Sequence, residues 1–395
     1  MKANSMEEEL GGLLAESVGA AINREQTEFD RLAGKGRDGL VLFGAGNMGQ
    51  TIAAGLRKLG VEPLAFTDNN ASLWNQSVQG TPVLSPAEAA SRFGNSAVFV
   101  IAIWAVQSHD RMAARRRQLR ELGCATVIPF LSLFWKYPDL FLPYHVVDRP
   151  VNVLLEAQTV RAVHDLWADA FSRREYVAQI KWRLRGDFDS MADPVRETMY
   201  FPENLFTLTK HEVFVDCGAY DGDTVHSFLE ATGDAFERIV AFEPDPANYR
   251  RLQHRLSACP PEIARRVETH QRAVGSATCR VRFAALGTEG SAIGESGLEV
   301  ECVSLDDILG GASLSHIKMD IEGAELDALQ GARQLVARQA PVLAICSYHR
   351  QTDLWRIPAL IHSLNPDLQL FLRPHRIEGW DLVCYAVPPH RLAGG

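Results

Sequence analysis

The chain is short of cysteine and has no pair at C-x-x-C spacing: seven in 395 residues, an odd number. That excludes a paired zinc or thioredoxin-type motif, and an odd count does not close into a disulfide framework. Cys217, Cys346 and Cys384 lie in apolar, strand-like runs and read as buried and reduced, so the cytoplasm is the expected compartment. Long apolar runs are also missing. The longest, Ala97 to Val106, is too short to span a bilayer, and no membrane association is expected. The start, Met6-Glu-Glu-Glu-Leu10, is acidic and lacks the basic-then-apolar order of a secretion signal. Positive charge is in deficit: 40 Lys and Arg against 49 Asp and Glu leave −9, which repels phosphates and argues against a nucleic-acid partner. The one basic stretch, Arg111 to Arg120, reads as a solvated helix face. No repeat of short period is present.

What remains fits a globular α/β protein long enough for two cores. Apolar residues at Leu10, Leu13, Leu14, Val18 and Ile22 have helical spacing, and residues 1–37 read as an N-terminal helix. Residues 38–148 alternate strand and helix. Gly39-Leu-Val-Leu-Phe43 runs into Gly44-Ala-Gly-Asn-Met-Gly49, Leu64 to Thr67 ends at Asp68, and Val98 to Ile103 and Thr126 to Ile128 add strands. Ser85-Pro86 opens a helix, with serine as cap and proline in first position. Pro129 to Pro150 reads as an ordered crossing segment, and 149–209 as a helical linker. From 210 to 390 alternation resumes, with strands at 212–216, 239–243, 267–270, 316–320 and 341–347. Two more, 368–373 and 381–387, are close enough to pair antiparallel. The expected fold is α/β: two Rossmann-like domains joined by a helical segment.

The densest signal is Val213-Phe-Val-Asp-Cys-Gly-Ala-Tyr-Asp-Gly-Asp223, followed by Ile239-Val-Ala-Phe-Glu-Pro-Asp245. A strand runs into Asp216, then a turn with Gly218 and Gly222, then a helix that Asp223 or Thr224 would cap. Gly218 permits a tight turn and a close approach to a ligand, and the helix start offers free N–H groups. Glu243 ends the next strand, where a carboxylate can accept two hydrogen bonds from a ribose diol. The turn lacks dinucleotide G-x-G-x-x-G spacing, and Asp216, Asp221 and Asp223 would repel a pyrophosphate. A cationic adenosyl ligand, S-adenosylmethionine, fits that charge pattern.

Residues from about 210 to 390 resemble the FkbM family of S-adenosylmethionine-dependent methyltransferases. The likeness rests on Val215 to Thr224, Ala241-Phe-Glu-Pro-Asp245, His316-Ile-Lys-Met-Asp-Ile-Glu-Gly-Ala-Glu-Leu-Asp-Ala-Leu-Gln-Gly-Ala332 and Ser347-Tyr-His349. Leu370 to Arg373 and Leu382 to Ala386 match too. Gln271-Arg272-Ala273-Val274 departs, standing where the family usually has Asn near the Ala. The resemblance implies a class I methyltransferase sheet with an antiparallel final strand. It also implies a cofactor site of Asp216, Gly218, Ala219, Tyr220, Asp221, Gly222, Thr224, Glu243, Pro244, Ala273, Asp320 and Glu322. The expected reaction is O-methylation of a hydroxyl on a small-molecule acceptor, a sugar or a natural-product precursor.

Methyl transfer from a sulfonium is an in-line displacement, mainly a task of positioning, and a hydroxyl acceptor gains from a nearby base. Asp320 and His349 follow neighbouring strands and are the catalytic candidates. His349 is the preferred base because an imidazole titrates near neutrality; the other reading is a histidine bonded to the Asp320 loop. Asp320 has a rival role as cap of a helix starting near Ala324, and Glu322 and Glu325 as helix-dipole partners. Asp320, Glu322 and His349 also have the donor types for a divalent ion, but nothing in their spacing demands one and no metal is assigned.

The first domain has its own candidate site. Gly44, Gly46, Asn47, Met48 and Gly49 follow a strand and open a helix, and Asp68 ends the next strand, which is the context of a dinucleotide fingerprint. The segment, with Gln79 to Pro86, also resembles the nucleotide-sugar-binding domain of bacterial sugar acyltransferases. NAD, a sugar nucleotide, and no ligand at all with the domain as a docking platform stay open. No Tyr-x-x-x-Lys pair accompanies the turn. Two rivals to the methyltransferase remain: an NAD-dependent oxidoreductase using this domain, and an inactive nucleotide-sensing scaffold. The acceptor and the oligomeric state are not readable from the sequence.

Overall fold

The protein is described by a computed structural model covering residues 3–34, 39–106, 110–288, 290–294 and 296–394. Two compact units emerge: Met1–Gln158 with Val177–Asp193 and Arg376–Trp380, and Thr159–Tyr176 with Pro194–His375 and Asp381–Gly395. The stretch 149–209 is thus shared between the two, the division falling within helix Ala170–Arg185.

In the first unit the periodic N-terminal stretch forms two helices, Ala3–Leu14 and Val18–Ala33. Ser17 makes the break, its side chain accepting the Ala20 N–H. Six strands follow: β1 Leu40–Phe43, β2 Ala65–Thr67, β3 Ser77–Val78, β4 Thr81–Leu84, β5 Val98–Ile101 and β6 Thr126–Pro129. Their order is β3-β4-β2-β1-β5-β6, parallel throughout except for the β3–β4 hairpin. Winding reverses at β1, and the 44–49 turn follows it, at the switch point where such sheets hold ligands. Ser85 caps helix Pro86–Phe93 through the Glu88 N–H, as expected. The basic helix Met112–Glu121 is not wholly a solvated face. Arg111 and Arg116 pair at the surface with Asp193 and Asp189, but Arg115 is buried and donates to the Ile103 carbonyl. Burial pushes the Arg115 pKa down against the pull of Glu378.

The second unit has strands β7 Val213–Cys217, β8 Arg238–Phe242, β9 Val267–His270, β14 His316–Met319, β15 Val342–Cys346, β16 Gln369–Pro374 and β17 Leu382–Val387. The order is β16-β17-β15-β14-β7-β8-β9, with β17 antiparallel to both neighbours and the rest parallel. The expected antiparallel final strand is therefore present. Its position explains the short connection from β16, since only an antiparallel pair can be joined by a tight loop. The reversal of winding lies at β7, whose neighbours are β8 and β14, so the ends of β8, β7, β14 and β15 stand side by side.

Between β9 and β14 lies a small sheet that the sequence reading did not anticipate: β10 Ala273–Val274, β11 Cys279–Ala284, β12 Ala292–Ile293 and β13 Leu298–Val303. It buries one narrow face of Ala273, Phe283, Val300 and Cys302. The other face carries charge, with Arg280 and Glu299 paired at 3.0 Å. Charged and apolar residues alternate along β11 and β13, as in strands with one buried face.

His316 on β14 is fully buried among Phe201, Phe206 and Phe214, with ring centroids 5.2–5.4 Å away, and neither ring nitrogen has a hydrogen-bond partner. Burial pushes its pKa from 6.5 down to about 3. The unfolded chain then binds a proton at a pH where the folded chain does not. This residue's contribution is complete above the unfolded value, and as pH falls from about 6.5 towards about 3 it is lost at about 1.4 kcal/mol per unit. Urea titrations across that span should show a shallower pH dependence in His316→Leu than in the parent; equal slopes would mean the ring is not neutral in the folded chain.

Candidate active site

The turn after β7 is built by packing as much as by any ligand. Gly218 has φ +82°, and a Cβ there would lie 1.9 Å from the Asp320 carbonyl oxygen. The end of β14 therefore requires a glycine here. The Gly218 and Ala219 N–H groups both donate to the Phe242 carbonyl at 3.0 Å, drawing the turn towards β8. Gly222, at φ +90°, takes the cap position of helix Asp223–Thr232. Neither Asp223 nor Thr224 caps it as anticipated: Asp223 only accepts the neighbouring Thr224 N–H, and Thr224 is buried. Asp221 is paired with Arg255 at 2.6 Å. Tyr220, at φ +47°, has the Arg251 guanidinium 5.4 Å from its ring centroid.

Asp216 is fully buried, with the Lys318 ammonium 3.0 Å from Oδ1. The pair sits in register on β7 and β14. Lys318 also donates to the Gly218 carbonyl at 2.7 Å. Burial opposes its charge, but Asp216 and Asp320 beside it outweigh that and hold its pKa above the usual lysine value. The Asp216 carboxylate thus braces the lysine that braces the turn.

Glu243, just past β8, is 4% exposed. Its Oε2 accepts the Tyr220 N–H at 2.9 Å; its Oε1 accepts the Asp245 N–H at 2.9 Å and, more weakly, the Asn248 amide at 3.4 Å. Burial raises its pKa to about 7, opposed by those N–H donors. Pro244 follows it. Asp245, not singled out as a site residue beforehand, has two tasks. Oδ1 caps helix Pro246–Ser257 through the Ala247 and Asn248 N–H groups. Oδ2 accepts from the Gly287 N–H and the Ser291 hydroxyl, each at 2.8 Å, tying the loop of the small sheet beside Glu243. Ala273 is buried in that sheet on β10.

The ends of β14 and β15 bring Asp320, Glu322, Glu325 and His349 together. His349 Nδ1 lies 2.8 Å from Glu325 Oε1, and its Nε2 is 3.3 Å from Asp320 Oδ1 and 3.7 Å from Glu322 Oε2. Glu325, fully buried, also accepts the Ile321 N–H. It does not merely complement a dipole. Asp320 does not cap helix Glu325–Gln330, where Ala324 holds the cap position; its Oδ2 accepts the Tyr200 hydroxyl at 2.8 Å. Although burial opposes it, the surrounding carboxylates push His349 well above 6.5, while His349 and Lys318 hold the Asp320 carboxyl well below the usual range. The imidazole expected as a base thus lies among three carboxylates that favour a positive charge there. Tyr200 escaped the sequence reading because it lies 120 residues before Asp320 in a stretch without motif; its φ of +70° is visible only in the folded chain.

At the turn after β1, a Cβ on Gly49 would lie 1.9 Å from the Gly44 carbonyl oxygen, and one on Gly44 2.5 Å from Ile103. Both glycines are accounted for by packing. Gly46 caps helix Asn47–Lys58, which includes Met48. Asp68 accepts the Ala45 N–H through Oδ2 and the Asn70 N–H through Oδ1, each at 2.8 Å. These contacts brace the turn and assign it no ligand.

Residues 216–373 match the family model described as the methyltransferase FkbM domain. Among solved structures, methyltransferase FkbM from Methylobacillus flagellatus KT is 26% identical with a TM-score of 0.75, covering 97% of this chain and 98% of its own. An rRNA methylase from Streptococcus thermophilus is 13% identical over 48% of this chain and 92% of its own, with a TM-score of 0.31. SAH-bound Podospora anserina methyltransferase PaMTH1 is 11% identical over 72% of this chain and 99% of its own, with a TM-score of 0.28. No curated protein matches the sequence. No helix among the described residues is long and apolar enough to cross a membrane.

Proposed function

We propose that this chain, which belongs to the FkbM methyltransferase family through residues 216–373, transfers a methyl group from S-adenosylmethionine to a hydroxyl of a small molecule, a sugar or a natural-product precursor. The observation that carries the reading is Glu243. A buried carboxylate at the second strand end has each oxygen fixed by a backbone N–H and retains lone pairs for a diol. The donor set around it suits a cationic, diol-bearing ligand rather than a phosphate. Arg255 is engaged by Asp221 and Lys318 by Asp216, while Asp320 and Glu322 stand at the adjacent strand end.

In this reading Glu243 holds the ribose. The 218–222 turn and its helix start lie along the methionine part, and Ala273 and the loop tied by Asp245 lie towards the base. When bound, S-adenosylmethionine supplies an electrophilic methyl carbon on a positively charged sulfur. Asp320 and Glu322 offer acceptor oxygens that orient an O–H donor, as a sugar hydroxyl is. Tyr200 and His349 keep Asp320 in place. His349 positions the carboxylates through both ring nitrogens.

Isothermal titration with S-adenosylmethionine and its demethylated product tests this. Both should bind the parent. Glu243→Ala loses hydrogen bonds to a charged acceptor, worth about 1.5–3 kcal/mol each, so affinity should fall at least about tenfold. Unchanged affinity would remove Glu243 from the site.

A further inference from the structure

We propose that Asp320, Glu322 and His349 form a binding site for a divalent metal ion at the methyl-acceptor end of the second unit. The proposal begins at the histidine ring. Nδ1 is 2.8 Å from the fully buried Glu325, which fixes a proton on that nitrogen. The opposite nitrogen, Nε2, belongs to a residue only 8% exposed and has no hydrogen-bond partner. It faces two carboxylate oxygens, Asp320 Oδ1 at 3.3 Å and Glu322 Oε2 at 3.7 Å. A lone pair facing two carboxylates is repulsive unless a positive charge lies among them. A proton on Nε2 is one solution, and a metal ion is the other.

Several features favour a site able to take the ion. Neighbouring ligands on one metal at bond lengths of 2.0–2.2 Å lie about 3 Å apart, somewhat more for tetrahedral geometry, and the two distances at Nε2 are close to that. Glu325 on Nδ1 and Nε2 towards the ion is the carboxylate–histidine–metal arrangement that orients ligating imidazoles. The Tyr200 hydroxyl fixes the far oxygen of Asp320 and leaves Oδ1 directed at the ring. Three carboxylates face one histidine, and the Lys318 ammonium is paired with Asp216. One nitrogen and two carboxylate oxygens suit Mn²⁺ or Zn²⁺.

The site deepens the methyltransferase reading, on which only its consequence rests: an acceptor hydroxyl bound beside such an ion ionises more easily, which answers the need for a base that His349 does not meet. Metal binding itself needs no cofactor and can be measured alone. Full-length protein stripped with chelator is titrated with Mn²⁺ and followed by loss of the free-ion EPR signal, then with Zn²⁺ by calorimetry. One ion should bind per chain. Glu322→Gln, at a partly exposed residue, should weaken Mn²⁺ binding at least about tenfold, and Glu325→Gln by about 10–100-fold, as outer-shell changes do. His349→Ala should abolish it. Far-UV circular dichroism and urea midpoints on the same samples, expected close to the parent's, report that each variant is folded. Failure of the parent to bind either metal up to millimolar concentration, while it binds S-adenosylmethionine, would overturn the proposal. So would metal binding that Glu322→Gln and His349→Ala leave intact. Metal binding without S-adenosylmethionine binding would uphold the site and refute the cofactor reading instead.

Discussion

Gly218→Ala should destabilise the second unit by about 2–6 kcal/mol. The left-handed backbone costs a non-glycine residue about 1–3 kcal/mol, and forcing a methyl group into packed backbone costs about as much again. The cause is specific: the added Cβ would sit 1.9 Å from the Asp320 carbonyl oxygen, an atom of main chain that cannot rotate away. Gly233→Ala is the control. Gly233 also has positive φ, at +55°, but nothing lies within 4 Å of its Cβ, so it should lose only the backbone cost of about 1–3 kcal/mol. Urea midpoints of the two variants separate clash from backbone conformation. Equal losses would show that the contact with Asp320 does not constrain the turn. If the proposed cofactor site is right, the clash should also weaken S-adenosylmethionine binding.

Lys318→Met removes a buried ammonium and leaves Asp216 fully buried without its partner. Breaking one side of such a pair typically costs about 3–5 kcal/mol, a large part of an ordinary domain's stability. The double variant Asp216→Asn, Lys318→Met should be much less destabilised than the single one, since no unpaired charge remains. Burial already pushes the Asp216 carboxyl upward in the parent. Without Lys318 that rise grows, so in the single variant the folded chain holds a proton that the unfolded chain releases. Its deficit should therefore shrink as pH falls towards the ordinary carboxylate range of about 4. A deficit independent of pH, with no recovery in the double variant, would mean that Lys318 acts through packing alone.

Much of the second unit was legible from local pattern. Apolar runs ending in Asp216, Glu243 and Asp320 gave the strands, because a strand buried on both faces is a near-continuous apolar segment. The small sheet escaped because its strands are short and half charged, with Arg280, Arg282, Glu299 and Glu301 on the face away from its core. The periodic stretch 6–33 was read as continuous because helical spacing persists across the break that Ser17 makes.

Residue types and their order along the chain determined the α/β class, the antiparallel ending and the family likeness of the 216–373 region, because these depend on neighbours in sequence. The work each side chain does depends on neighbours in space. Only the folded chain showed that Gly218 faces Asp320, that Asp216 meets Lys318 across two strands, and that Tyr200 reaches Asp320 from 120 residues away. The same holds for His349. Its type fits a neutral base, but convergence of three carboxylates on one buried ring favours a positive charge there, and no spacing along the chain encodes that convergence.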